Sequence, residues 1–315
     1  MRNIRKLAIL SIGILSLSAS AVWAQMPRGG GMGTPSTLTP TLQDQAYASL
    51  SEAQKLDLYL PEGDGPFPLV IYVHGGAFKM GDKAMGAEEL DPLVAAGYAV
   101  ASINYRLSSE ALFPAPIEDA KAAVRWLRAN ADAYQLDPER FAAFGASAGG
   151  NIVAMLGTTG DIVEFDNPEL GNPEVSSRVQ AVVDWFGPTD FGLMDTQFAE
   201  SGVCPESAQS HSAADSPESL LLGAALAEVP DLVAQANPIT YVSEDDAAFF
   251  IQHGTADCNV PTQQSQILYD ALLTVLDEEQ VSLTIIEGAG HGGSEFTTAE
   301  NMAQVIAFLD TQLPE

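Results

Sequence analysis

From about Gln54 onward, apolar and polar positions fall into blocks whose period switches along the chain. KLDLYL (55–60) alternates polar and apolar, the period of a half-buried strand. FPLVIYVH (67–74) is a continuous apolar, β-branched run, and YAVASINY (98–105) has the same character. Both predict strands covered on both faces. IEDAKAAVRWLRANA (117–131) places Ile117, Ala120, Val124 and Leu127 at helical spacing. FAAFG (141–145) predicts a short buried strand, and SAGGNIVAMLG (147–157) the helix that follows it. QAVVDWFG (180–187), AAFFIQHG (247–254) and VSLTIIEG (281–288) predict further strands. Helices are predicted over SPESLLLGAALAEV (216–229), QSQILYDALLTVL (264–276) and TTAENMAQVIAFLDTQL (297–313). The first of these opens with Ser216, Pro217 and Glu218, residues suited to a helix start.

Strands alternating with helices predict an α/β fold: a mostly parallel, twisted sheet with helices on both faces. In such sheets chemistry sits in loops at the carboxyl ends of the strands. Two loop-rich stretches interrupt the rhythm, about 161–178 and 188–235. The second is a candidate cap insertion of loops and helices over the strand ends.

The N-terminus changes the picture of where the chain works. Arg2, Arg5 and Lys6 precede an apolar run from Leu7 to Val22, and Val22-Trp23-Ala24 offers small residues at a cleavage site. This pattern predicts a secretory signal over 1–24 and a periplasmic or secreted mature chain. No other apolar run approaches a membrane span, so no membrane association is expected after cleavage. QMPRGGGMGTPSTLTPT opens a flexible lead-in over 25–48, and residues 49–315 form one domain. Two cysteines, Cys204 and Cys258, are an even pair in an exported chain and predict a disulfide.

Hydrophobic residues make up 46% and charged residues 17% of the 315, a globular composition and not a disordered one. Lys and Arg number 13 against 42 Asp and Glu, a net charge of −29. That excess argues against nucleic acid and anionic membranes as partners, because both need basic side chains in numbers. It favours solubility, and screening in saline water would relieve the self-repulsion.

FGASAGGN (144–151) sets Ser147 between Gly145 and Gly149, after a strand and at the start of a helix. A G-x-S-x-G run in that place predicts a tight turn that lifts the serine hydroxyl clear of the backbone. A nucleophilic serine needs a base, and the base needs a carboxylate to orient it. Of four histidines, His291 in EGAGHGG follows the last strand, in a loop without bulk, and is the candidate base. His211 lies in a polar loop and is expected to be exposed. His253, at a strand end, is expected to be structural. Asp257 in HGTADCNVP lies just past the strand before the histidine strand and is the candidate acid. Asp184 and Asp190, one strand earlier, are its rivals. Asp161 and Asp166 are expected to be solvated. VHGGAF (73–78) ends a strand with Gly75 and Gly76, whose amides, with that of Ala148, are candidates to hold an oxyanion. His74 is then expected to brace this loop.

Together HGGAF with GDK (81–83), NYRLS (104–108), FPAPIEDAKAAVRWL (113–127), GASAGGN, HGTADCNVP and GAGHGG resemble the α/β-hydrolase superfamily over about residues 50–315. Within it the chain is most similar to hormone-sensitive-lipase-like esterases and to bacterial acetyl-xylan and feruloyl esterases. The resemblance implies serine carboxylesterase activity through Ser147, Asp257 and His291. It also implies small ester or acylated polysaccharide substrates, with acetyl or feruloyl groups, and no metal or organic cofactor. The helix that carries Asp119 also matches the family, and Asp119 is read as structural or as a support to residues nearer the chemistry. Ala77 stands where many such esterases carry a third glycine, which puts esters of bulky tertiary alcohols in doubt. Three other readings stay open. Two are a peptidase of the prolyl-oligopeptidase kind and an amidase similar to kynurenine formamidases. The third is a hydrolase fold used only for binding.

Overall fold

The apolar runs pair into one eight-stranded sheet, in the order β1-β2-β4-β3-β5-β6-β7-β8. The structure is a computed structural model that describes residues 38–160, 162–204 and 210–314. The expected signal (1–24), the first part of the lead-in (25–37) and Asp161 lie outside the described residues. The strands are β1 (Leu42–Ala46), β2 (Lys55–Tyr59), β3 (Phe67–Val73), β4 (Ala99–Ile103), β5 (Leu136–Ala146), β6 (Ala181–Trp185), β7 (Ala248–Gly254) and β8 (Val281–Ile286). From β4 to β8 every neighbouring pair is parallel, whereas β1 and β2 join the edge antiparallel.

The helices are α1 (Ala87–Ala95), α2 (Ala115–Ala129), α3 (Ala148–Thr158), α4 (Met194–Ser201), α5 (Pro217–Leu222), α6 (Pro230–Gln235), α7 (Gln263–Leu272) and α8 (Ala299–Gln312). Alternation along β3 divides the core into two layers. Leu69, Ile71 and Val73 join the layer that holds Val124 of α2, Ile152 of α3 and Leu268 of α7. Val70 and Tyr72 join the layer that holds Leu93 of α1 and Val305 of α8. Burial on both faces is why these strands read as unbroken apolar runs.

Register positions the site. Val73 of β3 pairs with Gly145 of β5, Gly145 with Asp184 of β6, and Asp184 with Ile251 of β7. The strands therefore end together, and the loops that follow them meet over one edge of the sheet.

Four details depart from the sequence expectations. Leu42–Ala46, inside the expected flexible lead-in, is strand β1. Its backbone is held by Asp57, whose Oδ1 accepts from Asp44 N at 2.7 Å, and Lys83 Nζ lies 2.8 Å from both Asp44 and Asp57. The helix expected over 216–229 stops at Leu222, because Gly223 turns left-handed with φ 79° and ends it. A short 3₁₀ turn, Leu226–Glu228, and α6 follow instead. Helix α1 was masked in the sequence by Pro92 in its interior. Asp166 is not simply solvated: it pairs with Arg125 at 3.1 Å and Lys121 at 3.3 Å, two buried cations that need a counter-charge.

Asp119 is structural, as its sequence context implied. Fully buried in α2, it accepts from Gln54 Nε2 at 2.7 Å, Arg106 N at 2.8 Å and Arg106 Nη2 at 2.8 Å. It ties the approach to β2 and the exit of β4 to α2. Asp119→Ala would leave the buried Arg106 with Glu118 alone, at 3.3 Å, as its counter-charge, and we expect a loss of about 2–4 kcal/mol. Urea unfolding measures it; a loss under about 1 kcal/mol would contradict this role.

Candidate active site

Chain direction reverses within one residue between β5 and α3. Ser147 sits there with φ 58° and ψ −124°, a conformation unfavourable for a side-chain-bearing residue. Its backbone N–H donates to the Trp185 carbonyl at 2.9 Å, anchoring the turn to the end of β6. A Cβ at Gly145 would collide with the Gly149 carbonyl, and one at Gly149 with the Val73 carbonyl. The two glycines thus let α3 descend directly onto β3 and β5.

His291 and Asp257 meet this serine. His291 Nε2 lies 2.8 Å from Ser147 Oγ, and His291 Nδ1 lies 2.7 Å from Asp257 Oδ2. Asp257 is buried, and its Oδ1 accepts from the amides of Asn259 at 2.7 Å and Val260 at 2.9 Å. His253 Nε2 stands 3.0 Å from the Val260 carbonyl and 3.2 Å from Asp257 Oδ2. Two acceptors at that nitrogen place its proton there. His253 Nδ1 then accepts from the Ser265 hydroxyl at 2.7 Å. Burial works to raise the Asp257 carboxyl. Hydrogen bonds from His253 and His291 outweigh it and hold the group well below the usual carboxylate range.

The rival acids are engaged elsewhere. Asp184 accepts from Gly187 N at 3.0 Å, and burial raises its carboxyl to about 6. Asp190 accepts from Gly192 N at 2.9 Å and Asn237 Nδ2 at 3.3 Å. His74 braces its loop: Nδ1 donates to the Gly75 carbonyl at 2.7 Å, and its ring stacks on Tyr105 at 4.5 Å. Burial lowers its pKa, which suits a neutral donor. A Cβ at Gly75 would lie 3.3 Å from Ser147 Cβ, so the Gly75 backbone approaches the serine closely. Ala148 heads α3, where amides have no partner within the helix. Gly75, Gly76 and Ala148 line one cavity of about 590 Å³ with Ser147 and His291. Ala77 lines it too, at φ 55°, a value glycine adopts at less cost.

His211 is a correction. It is buried at 5% exposure, not solvent-exposed, and lines the cavity with Glu218, Pro188 and Pro217 of the 188–235 segment. Its backbone N–H donates to Asp195 Oδ1 at 2.7 Å, which draws the loop inward. Sequence reasoning also missed Phe186, whose ring lies 4.7 Å from the His291 ring, and the role of His253 beneath Asp257. A WFG tripeptide carries no local signal for that contact. The expected Cys204–Cys258 disulfide is present, with Cα atoms 5.4 Å apart. It fastens the 188–235 segment to the residue next to Asp257.

A family profile described as BD-FAE matches residues 56–272. The chain belongs to the BD-FAE family. Among similar proteins, Esterase LipC of Mycobacterium tuberculosis is 33% identical over 72% of this BD-FAE chain and 53% of its own length. The probable carboxylic ester hydrolase LipM of the same organism is 29% identical over 82% of this chain and 59% of its own. This chain thus spans little more than half of either relative. A truncated form of a carbohydrate esterase from gut microbiota superposes with a TM-score of 0.78 at 33% identity, over 91% of this chain and all of that one. A bifunctional GH43-CE protein of Bacteroides eggerthii gives 0.76 at 34% identity, over 86% of this chain and 35% of that one. The fold is that of the α/β-hydrolase esterases.

The far wall of the BD-FAE cavity carries Glu89, whose carboxyl burial raises to about 7, with the charge of Glu88 adding to the effect. The unfolded group titrates near 4.5, so the folded chain binds more protons between those values. Stability from this site therefore falls as pH rises from about 4.5 through about 7. Glu89→Gln is expected to gain about 1–3 kcal/mol over the parent at about pH 8 and nothing at about pH 4. Urea unfolding at the two pH values checks the sign.

Proposed function

We propose that this chain is an exported serine carboxylic ester hydrolase, acting on short-chain acyl esters, above all acetyl, or on feruloyl esters of polysaccharides. The observation that carries the reading is the unbroken contact from Asp257 through His291 to Ser147. In this mechanism the Ser147 oxygen attacks the ester carbonyl while its proton passes to His291 Nε2. Asp257, ionised by its hydrogen bonds, holds His291 in the tautomer with Nδ1–H and stabilises the imidazolium. The amides of Gly75, Gly76 and Ala148 receive the negative charge that forms on the carbonyl oxygen. His291 then protonates the departing alkoxide, leaving an acyl-serine. Water, deprotonated by His291, attacks the acyl carbon; the acyl–oxygen bond to Ser147 breaks, His291 returns the proton to Ser147 Oγ, and the acid is released.

Support for carbohydrate esters comes from the similar carbohydrate esterase noted above, and support for export from the basic, apolar N-terminus. The reading is tested by hydrolysis of p-nitrophenyl acetate, butyrate and octanoate and of methyl ferulate. We expect turnover that favours the shortest chains. Ser147→Ala should remove it, together with labelling by a fluorophosphonate. Asp257→Asn should lower kcat about 10³–10⁴-fold, since the wrong histidine tautomer is then favoured. Retained hydrolysis in a folded Ser147→Ala protein, or no turnover of any ester by the parent, would overturn the assignment.

A further inference from the structure

Among the described residues, three buried polar atoms of the 188–235 segment have no hydrogen-bond partner: His211 Nδ1 and Glu218 Oε2, of residues that line the cavity, and Ser219 Oγ behind them in sequence. His211 is 5% exposed and Glu218 4%, and both line the cavity that holds Ser147. His211 Nδ1 comes within 3.1 Å of Glu218 Oε1, yet the two are not aligned as a hydrogen bond. A fold seldom keeps buried polar atoms unsatisfied unless something else completes them.

These side chains are not loose. Asp195 of α4 accepts from His211 N, Ser212 N, Ser212 Oγ and Ser210 Oγ at 2.6–2.9 Å, pinning the 210–212 loop. Phe198 stacks on the His211 ring at 5.8 Å and 22°. Ser216 Oγ accepts from Ser219 N at 3.1 Å and fixes the first turn of α5, which carries Glu218. Fixed polar groups facing an apolar cavity are how binding sites set orientation.

We infer that His211 and Glu218 form a subsite for the hydroxyl groups of the alcohol half of the substrate, a neutral sugar whose ester faces Ser147; this rests on the esterase reading above. A hydroxyl meets both needs, since it donates to a carboxylate oxygen and pairs with an imidazole nitrogen. Phe78, Pro188, Pro217 and Val260 line the same cavity and offer apolar surface to the C–H faces of such a ring. An anionic sugar would meet Glu88, Glu89 and Glu218 in one cavity of a chain with net charge −29. An acetyl group has no hydroxyl to give these atoms and a feruloyl group has one phenolic hydroxyl, whereas a sugar alcohol offers several to serve both.

The test compares kcat/KM for monoacetylated methyl β-D-xylopyranoside with that for p-nitrophenyl acetate, in the parent, Glu218→Gln and His211→Asn proteins. The ratio is expected to fall at least tenfold in each variant, through a rise in KM for the sugar ester. A second measurement needs no variant. The parent should prefer the acetylated xyloside over tetrahydropyran-4-yl acetate, which lacks free hydroxyls, by at least tenfold. Equal use of those two esters overturns the subsite. So does an unchanged ratio in the variants, or a loss that falls on methyl ferulate instead of the sugar ester. Failure of the parent to hydrolyse p-nitrophenyl acetate would instead overturn the esterase reading beneath it.

Discussion

The backbone of Ser147 is held where few residues with a side chain go, and much of the site depends on that one turn. Positive φ at a serine is tolerated because its surroundings leave no alternative. The Trp185 carbonyl takes its N–H, and Gly145 and Gly149 let α3 lie against the ends of β3 and β5. The same close approach brings Gly75 next to the serine. The hydroxyl, the first amide of α3 and the glycine loop after β3 are thus three results of one packing constraint.

Asp257 and Asp184 are both buried acids near the strand ends, and their carboxyls move in opposite directions. Asp257 receives two amides and faces two imidazoles, and these contacts overcome burial. One amide and a distant imidazole are not enough for Asp184. Counting donors, not measuring depth, separates the carboxylate that stays ionised from the one that is held back. His253 has a part in this. By giving Nε2–H toward Asp257 while Ser265 contacts Nδ1, it acts as a donor under the carboxylate.

The central strands were legible because burial on both faces leaves an apolar run with no competing period. The positions of Ser147, Asp257 and His291 were legible because each follows a strand that such runs announce. Other features depend on contacts that no local pattern carries. Strand β1 is polar and is held by Asp57 and by the pairing of Lys83 with Asp44 and Asp57. His211 sits among serines, which suggests solvent, yet Asp195, 16 residues earlier, folds its loop inward. Asp166 looks like a surface acid until the buried cations of α2 are placed beside it. In each case a residue far along the chain overrode the local signal.

The cystine has a consequence for how this chain can change over generations. Cys204 belongs to the segment that walls the cavity, and Cys258 is the peptide neighbour of Asp257. A substitution that shifts the wall at Cys204 therefore pulls on the loop that sets the carboxylate. Remodelling of cavity shape and placement of the Asp257 carboxylate are mechanically linked traits here. Variation on that side of the cavity is filtered by the geometry of the Asp257 carboxylate.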